Sequence, residues 1–160
     1  MQTFMPSKNF NEIAQQLDNK RLNKQALEGW QILMTLLEQD PAGNYRVPKG
    51  WVNHPAVKMW RGHESVLYSY IVAMVQEWKR RGFKSTIADK AAFTVVTAAR
   101  DGKLGQTTPS WLVDQDVFDE VASTHRQALL VKDYEWYSQF GWPEDNGVVP
   151  TEYDYIWPVK

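Results

Sequence analysis

The stretch LDNKRLNKQALEGWQIL, residues 17–33, decides the fold class, because its apolar residues recur at helical spacing. These apolar positions follow one another every three or four residues and continue just past the stretch: Leu22, Ala26, Trp30, Leu33 and Leu37. This period is that of one face of an α-helix, and such a face needs a packing partner. The stretch therefore predicts an amphipathic helix, from about residue 19 to residue 38, that faces a core.

The opposite side of this helix carries one acid among basic and amide residues. Arg21, Lys24 and Gln31 share the spacing of Glu28, so the four side chains lie along one polar face. The simplest interpretation is a solvated face on which Lys24 and Glu28 pair across one turn. The second interpretation is that the carboxylate of Glu28 is held among cations for a chemical purpose. The helix alone leaves both interpretations open.

The composition is that of a globular protein without disulfides. The chain has 160 residues, 43% of them hydrophobic and 23% charged, and it contains no cysteine, which excludes thiolate chemistry and a Cys-based zinc site. A net charge of −1 argues against a basic field over the whole surface, although a local basic patch remains compatible with nucleic-acid binding. The start MQTFMPSKNF lacks the apolar run of a signal peptide, so a cytoplasmic protein is expected.

The rest of the chain predicts further helices and no strand. The predicted helices span about residues 11–18, 55–81, 87–100 and 116–132. Asn53 is the predicted N-cap of the helix over residues 55–81, and Gly62 is a point at which that helix bends or divides. The predicted class is all-α: a single compact helical domain, residues 1–160, with long loops and an irregular, aromatic-rich C-terminal tail.

Several polar residues interrupt these patterns. Glu64 falls in a row of apolar residues, so its carboxylate either pairs with a buried cation or orients a neighbour such as His54. His54 precedes Pro55 at a helix start, which indicates either an N-cap or a positioned imidazole. The last predicted helix carries residues that form either a basic rim for phosphates or a solvated face: His125, Arg126 and Lys132. No histidine spacing matches a metal motif, so no metal site is expected.

Three segments, in order, resemble the pyrimidine dimer DNA glycosylase family of the phage endonuclease V type. LDNKRLNKQALE (17–28) is similar to the family's glutamate-bearing helix, L-x-x-x-R-L-L-G-Q-H-R-E, and aligns with it without a gap. EWKRRGFK (77–84) and LLVKDYEWYSQFG (129–141) resemble a later helix and the closing segment of the family. GWVNHPAVKMWRGHE (50–64) and HRQALLVKD (125–133) look closer still to a less characterised, divergent branch.

The resemblance implies an all-α enzyme that removes a base at a pyrimidine dimer in double-stranded DNA and then cleaves the strand, without cofactor or metal. The nucleophile of the family is the α-amine of the first residue. Here that residue is Met1, or Gln2 if Met1 is removed, although the size of Gln2 is expected to hinder removal. Glu28 is then the catalytic acid, and Glu64 is a supporting acid. The residues expected to contact DNA are Arg21, Lys24, His54, Arg61, His125, Arg126 and Lys132. A monomer is expected.

Two alternatives follow from departures from the family pattern. Ala26 and Leu27 stand where the family has an H-R pair, and Ala128 stands where it has its closing arginine. One alternative is therefore a non-catalytic nucleic-acid-binding module of the same fold. The other is an enzyme that acts on a modified base through His54, Glu64 and His125.

Overall fold

The computed structural model describes residues 1–160 and contains only helices, turns and loops, which confirms the all-α prediction. The eight α-helices are α1 (Phe10–Gln16), α2 (Asn19–Leu36), α3 (Pro55–Lys58), α4 (Glu64–Arg80), α5 (Ile87–Arg100), α6 (Ser110–Val113), α7 (Gln115–Lys132) and α8 (Tyr134–Tyr137). Two 3₁₀ turns, Trp51–Asn53 and Ser138–Phe140, complete the regular structure. None of the helices combines the length and the apolar character that a membrane span requires.

Helices α2 and α4 pack closely in the centre of the molecule. Gly29 of α2 makes this approach possible, since a Cβ atom at that position would lie 2.6 Å from Cγ1 of Ile71 on α4. The apolar stripe predicted for α2 is buried, with Leu22 and Leu33 fully inaccessible. The polar face of α2, which carries Glu28, is thereby turned away from the centre of this contact.

The helix predicted from residue 55 to about residue 81 is divided into α3 and α4, which is one of the two outcomes expected at Gly62. Gly62 has φ +81°, a conformation that a residue with a side chain rarely adopts, and it separates the two helices. The prediction that Asn53 is the N-cap was wrong, because Asn53 lies in a 3₁₀ turn. The N-cap of α3 is His54, whose side chain accepts a hydrogen bond from the Ala56 amide at 3.1 Å.

The C-terminal tail is irregular, as predicted, and it packs on the helical core. Tyr155, Trp157 and Val159 lie against the core without regular secondary structure. Several hydrogen bonds attach the tail to α7. Among them, the Ile156 amide donates to Thr124 Oγ1 at 3.3 Å, and Lys132 Nζ donates to Tyr153 Oη at 3.1 Å. The tail therefore lies beside the first residues of the chain, which also contact α7.

Candidate functional site

The first five residues form an extended segment that is built into the core. Residues 2–5 are all buried, and neither Thr3 nor Met5 has any accessible surface. Chain ends usually fray, because few contacts compensate for the entropy lost on ordering them. A buried terminal segment must also find partners for its backbone amides, since there is no water to bind them.

Side chains from distant parts of the chain supply those partners. The Gln2 amide donates to Glu28 Oε2 at 3.1 Å, the Phe4 amide donates to Gln25 Oε1 at 2.7 Å, and the Met5 amide donates to His125 Nδ1 at 2.8 Å. Two of these acceptors lie on α2 and one lies on α7. The terminal segment is therefore held by long-range hydrogen bonds to side chains, and not by a sheet.

Gln25 is the centre of this arrangement, and the sequence reasoning missed it. Its Oε1 accepts hydrogen bonds from the Phe4 amide and from the hydroxyl of Tyr70, and its Nε2 donates to the Gln2 carbonyl at 3.0 Å. The available signal was its place in the buried row of α2, three residues after Leu22, where an amide side chain needs specific partners.

Glu28 faces a cavity of about 390 Å³ on the surface of the molecule. The lining residues include four cations and one acid: Lys20, Arg21, Lys24, Lys132 and Glu28. The other lining residues come from the terminal segment, α2 and the tail: Met1, Gln2, Phe4, Gln25, Tyr153 and Tyr155. We call this cavity the Glu28 pocket. Its charge makes it a suitable receptor for an anionic backbone.

The Glu28 carboxylate is well shielded and oriented. Its side chain is 13% exposed, and Lys24 Nζ lies 3.8 Å from Oε1. The other oxygen, Oε2, accepts from the Gln2 amide at 3.1 Å and from Gln25 Nε2 at 3.5 Å. The Gln2 backbone nitrogen and the Glu28 carboxylate are therefore in direct contact.

Met1 lines the same pocket, and its N-terminal charge influences the pKa of His54. Burial lowers the pKa of His54, and the positive charge of the N-terminal ammonium lowers it further. The imidazole of His54 is held by its cap to Ala56 and by edge contacts with Trp51 and Trp157. His54 is thus the N-cap of α3, and it does not line the pocket.

The predicted basic contacts divide into exposed lysines at the rim and arginines whose guanidinium groups are paired with carboxylates. Lys24 is exposed at the rim, and Lys132 is exposed beside Tyr153. Arg21 lines the pocket, but its guanidinium pairs with Asp18 at 3.2 Å. Arg126 is also occupied, since it forms a bidentate pair with a carboxylate of the tail, that of Glu144, and donates to the Pro6 carbonyl. Arg126 therefore fastens the tail and the terminal segment to α7.

The expectation that His125 contacts DNA was wrong. Its side chain is 0% exposed, and burial lowers its pKa to about 3, so the ring is neutral at neutral pH. A neutral, enclosed imidazole cannot reach or attract a phosphate. Its function in the fold is to accept the hydrogen bond of the Met5 amide.

Arg61 and Glu64 lie outside the Glu28 pocket. Arg61 donates to the Val52 carbonyl at 3.4 Å and thus contacts the loop before α3. Glu64 is buried at the start of α4, where Oε1 accepts from the Gly62 amide at 3.3 Å. It does not orient His54, and no cation pairs with it. His54, Glu64 and His125 consequently do not form the alternative site considered from the sequence.

These features define a helical protein in which the chain start meets a single carboxylate inside a cationic pocket. The family model for pyrimidine dimer DNA glycosylases matches residues 1–91, more than half of the chain, and the chain belongs to that family. By family, it is a DNA repair glycosylase. The match includes the terminal segment, α2 and His54, and it ends before α7 and the tail. Comparison with curated proteins and with solved structures gave no significant match.

Proposed function

We propose that this protein removes a damaged base from double-stranded DNA and then cleaves the strand, with the N-terminal α-amine as nucleophile and Glu28 as the catalytic acid and base. The observation that carries the proposal is that Met1, at the chain start, lines the same pocket as Glu28, with the adjoining Gln2 nitrogen 3.1 Å from Glu28 Oε2. A pyrimidine dimer is the substrate that the family suggests.

The reaction needs an amine nucleophile and a carboxylate, and this pocket would supply both. The α-amine attacks C1′ of the damaged nucleotide as the bond from C1′ to the base breaks, and the base leaves with a proton. The negative charge of Glu28 stabilises the cationic sugar. The nitrogen then forms a second bond to C1′ as the C1′–O4′ bond breaks, and the proton that the nitrogen loses passes to O4′, so that the sugar ring opens and an imine remains. Removal of a C2′ proton by the carboxylate then breaks the C3′–O bond, which cleaves the strand, and water releases the enzyme.

Met1 is the proposed source of the amine. While Met1 is present, the nitrogen of Gln2 is a peptide amide, which is not nucleophilic, and the reactive amine is one residue further out. Met1 lines the pocket, and the charge of its ammonium lowers the pKa of the His54 imidazole. In a chain that begins at Gln2, the amine would instead lie beside Glu28. The mass of the amino-terminal peptide of a trapped adduct distinguishes these two forms.

We propose that lysines at the rim contact the DNA phosphates. Lys24 of α2 and Lys132 of α7 are exposed residues that line the pocket, and Lys20 lines it as well. Each phosphate that such a lysine neutralises makes binding more dependent on salt. Access to C1′ requires that the damaged nucleotide leave the helical stack, because the sugar is not accessible inside an intact duplex.

Borohydride trapping tests this proposal. The protein is incubated with a duplex that holds an abasic site or a pyrimidine dimer, and borohydride reduces any imine to a stable adduct. We expect an adduct with the native chain, and none with Glu28→Gln or with a chain that is extended at its N-terminus. Glu120→Gln, at an exposed glutamate of α7, is the matched control and should form the adduct normally. Adduct formation that survives both changes would refute the mechanism.

A non-catalytic DNA-binding module is the second candidate, and one observation favours it. Ala26 is buried and Leu27 is exposed, so the two positions of the family's H-R pair contribute no cation to the surface. This candidate predicts DNA affinity that falls with salt, and no adduct on any damaged duplex.

A further inference from the structure

We propose that Leu27 is a wedge, an apolar side chain that enters the base stack of double-stranded DNA and fills the gap left by the displaced nucleotide. This inference rests on the proposed function, because it takes the Glu28 pocket as the place of that nucleotide. Its test measures binding to duplexes that cannot react, so the wedge and the catalysis can fail separately.

Leu27 is the one apolar residue on the exposed side of α2. The exposed residues of this helix are Asn19, Lys20, Asn23, Lys24 and Leu27. The side chain of Leu27 is 40% exposed, whereas Leu22 and Leu33 of the same helix have no accessible surface. A single exposed leucine is common on protein surfaces, so a function for Leu27 depends on what surrounds it.

The neighbours of Leu27 on α2 are residues of the Glu28 pocket. Glu28 follows it directly, Lys24 precedes it by about one helical turn, and Lys20 precedes it by two turns. The two lysines therefore lie on the same side of the helix as Leu27. Leu27 does not line the pocket itself, so it lies outside the cavity and next to residues that form its wall.

A further cation lies on the other side of Leu27. Trp30 follows Leu27 by three residues on α2, and Lys90 of α5 lies over its ring, with Nζ 5.6 Å from the ring centroid. Lys90 is itself exposed. Leu27 is thus flanked by Lys24 on the side of the pocket and by Lys90 on the side away from it. An apolar side chain between cations suits a duplex, whose phosphates lie outside and whose bases stack inside.

The gap that a displaced nucleotide leaves is apolar, because its walls are the faces of the neighbouring bases. An apolar side chain in that gap replaces part of the lost stacking contact and excludes water, and leucine is among the residues that proteins insert between base steps in this way. A charged side chain would have to lose its hydration to enter the same gap. The family pattern has an arginine where this chain has Leu27, so the wedge is a feature of this chain.

Fluorescence anisotropy with two labelled duplexes tests the wedge. Both duplexes hold a tetrahydrofuran abasic analogue, which cannot form an imine. In the first duplex an adenine lies opposite the analogue, and the stack keeps its gap. In the second a pyrene nucleoside lies opposite, and its flat ring fills the gap before the protein binds.

The variants are Leu27→Ala and Leu27→Met. Alanine is a strong helix former, so Leu27→Ala should keep α2 intact, and circular dichroism melting verifies that each variant is folded. Val117→Ala is the matched control. Val117 is 37% exposed on α7, but it lies about 22 Å along that helix from Lys132, the residue of α7 that lines the pocket.

On the duplex with adenine, Leu27→Ala should weaken binding by about ten- to a hundredfold, which corresponds to the burial of one leucine side chain. On the pyrene duplex, the native chain and Leu27→Ala should differ by less than about threefold, because the gap is already filled. Leu27→Met keeps an apolar side chain of similar volume and should retain most of the native affinity. Val117→Ala should leave both affinities unchanged.

An equal loss on both duplexes in Leu27→Ala would overturn the proposal, because such a loss would not depend on the gap. Native affinity of Leu27→Ala for the adenine duplex would also overturn it, as would a native chain that binds neither duplex. The trapping experiment answers separately. A chain that traps no imine but shows the gap-dependent loss keeps the wedge and loses the proposed catalysis, and a chain that traps the imine without this loss does the reverse.

Discussion

Acidification should destabilise the fold through His125, because the folded state holds this imidazole in its neutral form. The ring is fully buried and accepts a hydrogen bond from the Met5 amide through Nδ1. Burial lowers its pKa to about 3, with a further contribution from the charge of Arg126. In the unfolded chain a histidine titrates near its ordinary pKa of about 6.5. Between these two values the unfolded state binds more protons, so stability falls as the pH falls.

The size of the effect follows from the two pKa values. At pH 7 neither state is much protonated, whereas at pH 5 nearly all unfolded molecules and few folded ones carry the proton. Linkage then gives a loss of about 2 kcal/mol between pH 7 and pH 5 from His125 alone. The loss continues at about 1.4 kcal/mol per pH unit until the folded ring itself titrates near pH 3.

Urea denaturation at pH 7 and pH 5, followed by circular dichroism, measures this difference. His125→Asn keeps an acceptor at the position of Nδ1 but does not titrate, so its free energy of unfolding should depend less on pH, by about 2 kcal/mol across this interval. The reasoning is refuted if His125→Asn and the native chain lose the same free energy between the two pH values.

Three further predictions concern the pocket and its supports. Gln25→Leu should lower the free energy of unfolding by about 2–4 kcal/mol in urea denaturation, because it leaves the buried Phe4 amide without its acceptor; a loss below 1 kcal/mol would contradict this. Gly29→Ala should cost about 1–3 kcal/mol in thermal or urea unfolding, since the new methyl group would meet Ile71 at 2.6 Å. Lys24→Gln should reduce the slope of log affinity against log salt for DNA by about one unit, whereas Arg126→Gln, whose guanidinium is occupied by Glu144, should change stability and not the slope.

The helices could be predicted because their determinants are local. The spacing of apolar residues in α2, α5 and α7 is visible in the sequence, and so is the glycine that divides α3 from α4. The cap of α3 was assigned one residue too early. Both Asn53 and His54 have a side chain that can accept from a helix amide, and only the 3₁₀ turn over 51–53 decides between them.

The supports of the site could not be predicted, because they join residues that are far apart in sequence. The contact of Phe4 with Gln25 spans 21 positions, and that of Met5 with His125 spans 120. His125 was interpreted as part of a basic rim because Arg126 follows it. Its position four residues after Val121 and three before Ala128 places it in the buried row of α7, and that periodicity was the better guide.

Glu28 has a structural function besides its proposed chemical one, because it accepts the hydrogen bond that holds the polar residue Gln2 in place. Ordering each residue of a terminal segment costs about 1–2 kcal/mol. Burial of the Phe4 and Met5 side chains offsets this cost at about 1.5–3 kcal/mol each. Gln2 buries no comparable apolar side chain, so its hydrogen bonds to Glu28 and Gln25 are what hold the end of the segment. Glu28→Gln keeps an acceptor oxygen for the Gln2 amide and removes only the charge. It is therefore a sharper test than Glu28→Ala. That variant would release the segment, so a loss of activity could come either from displacement of the chain start or from loss of the carboxylate.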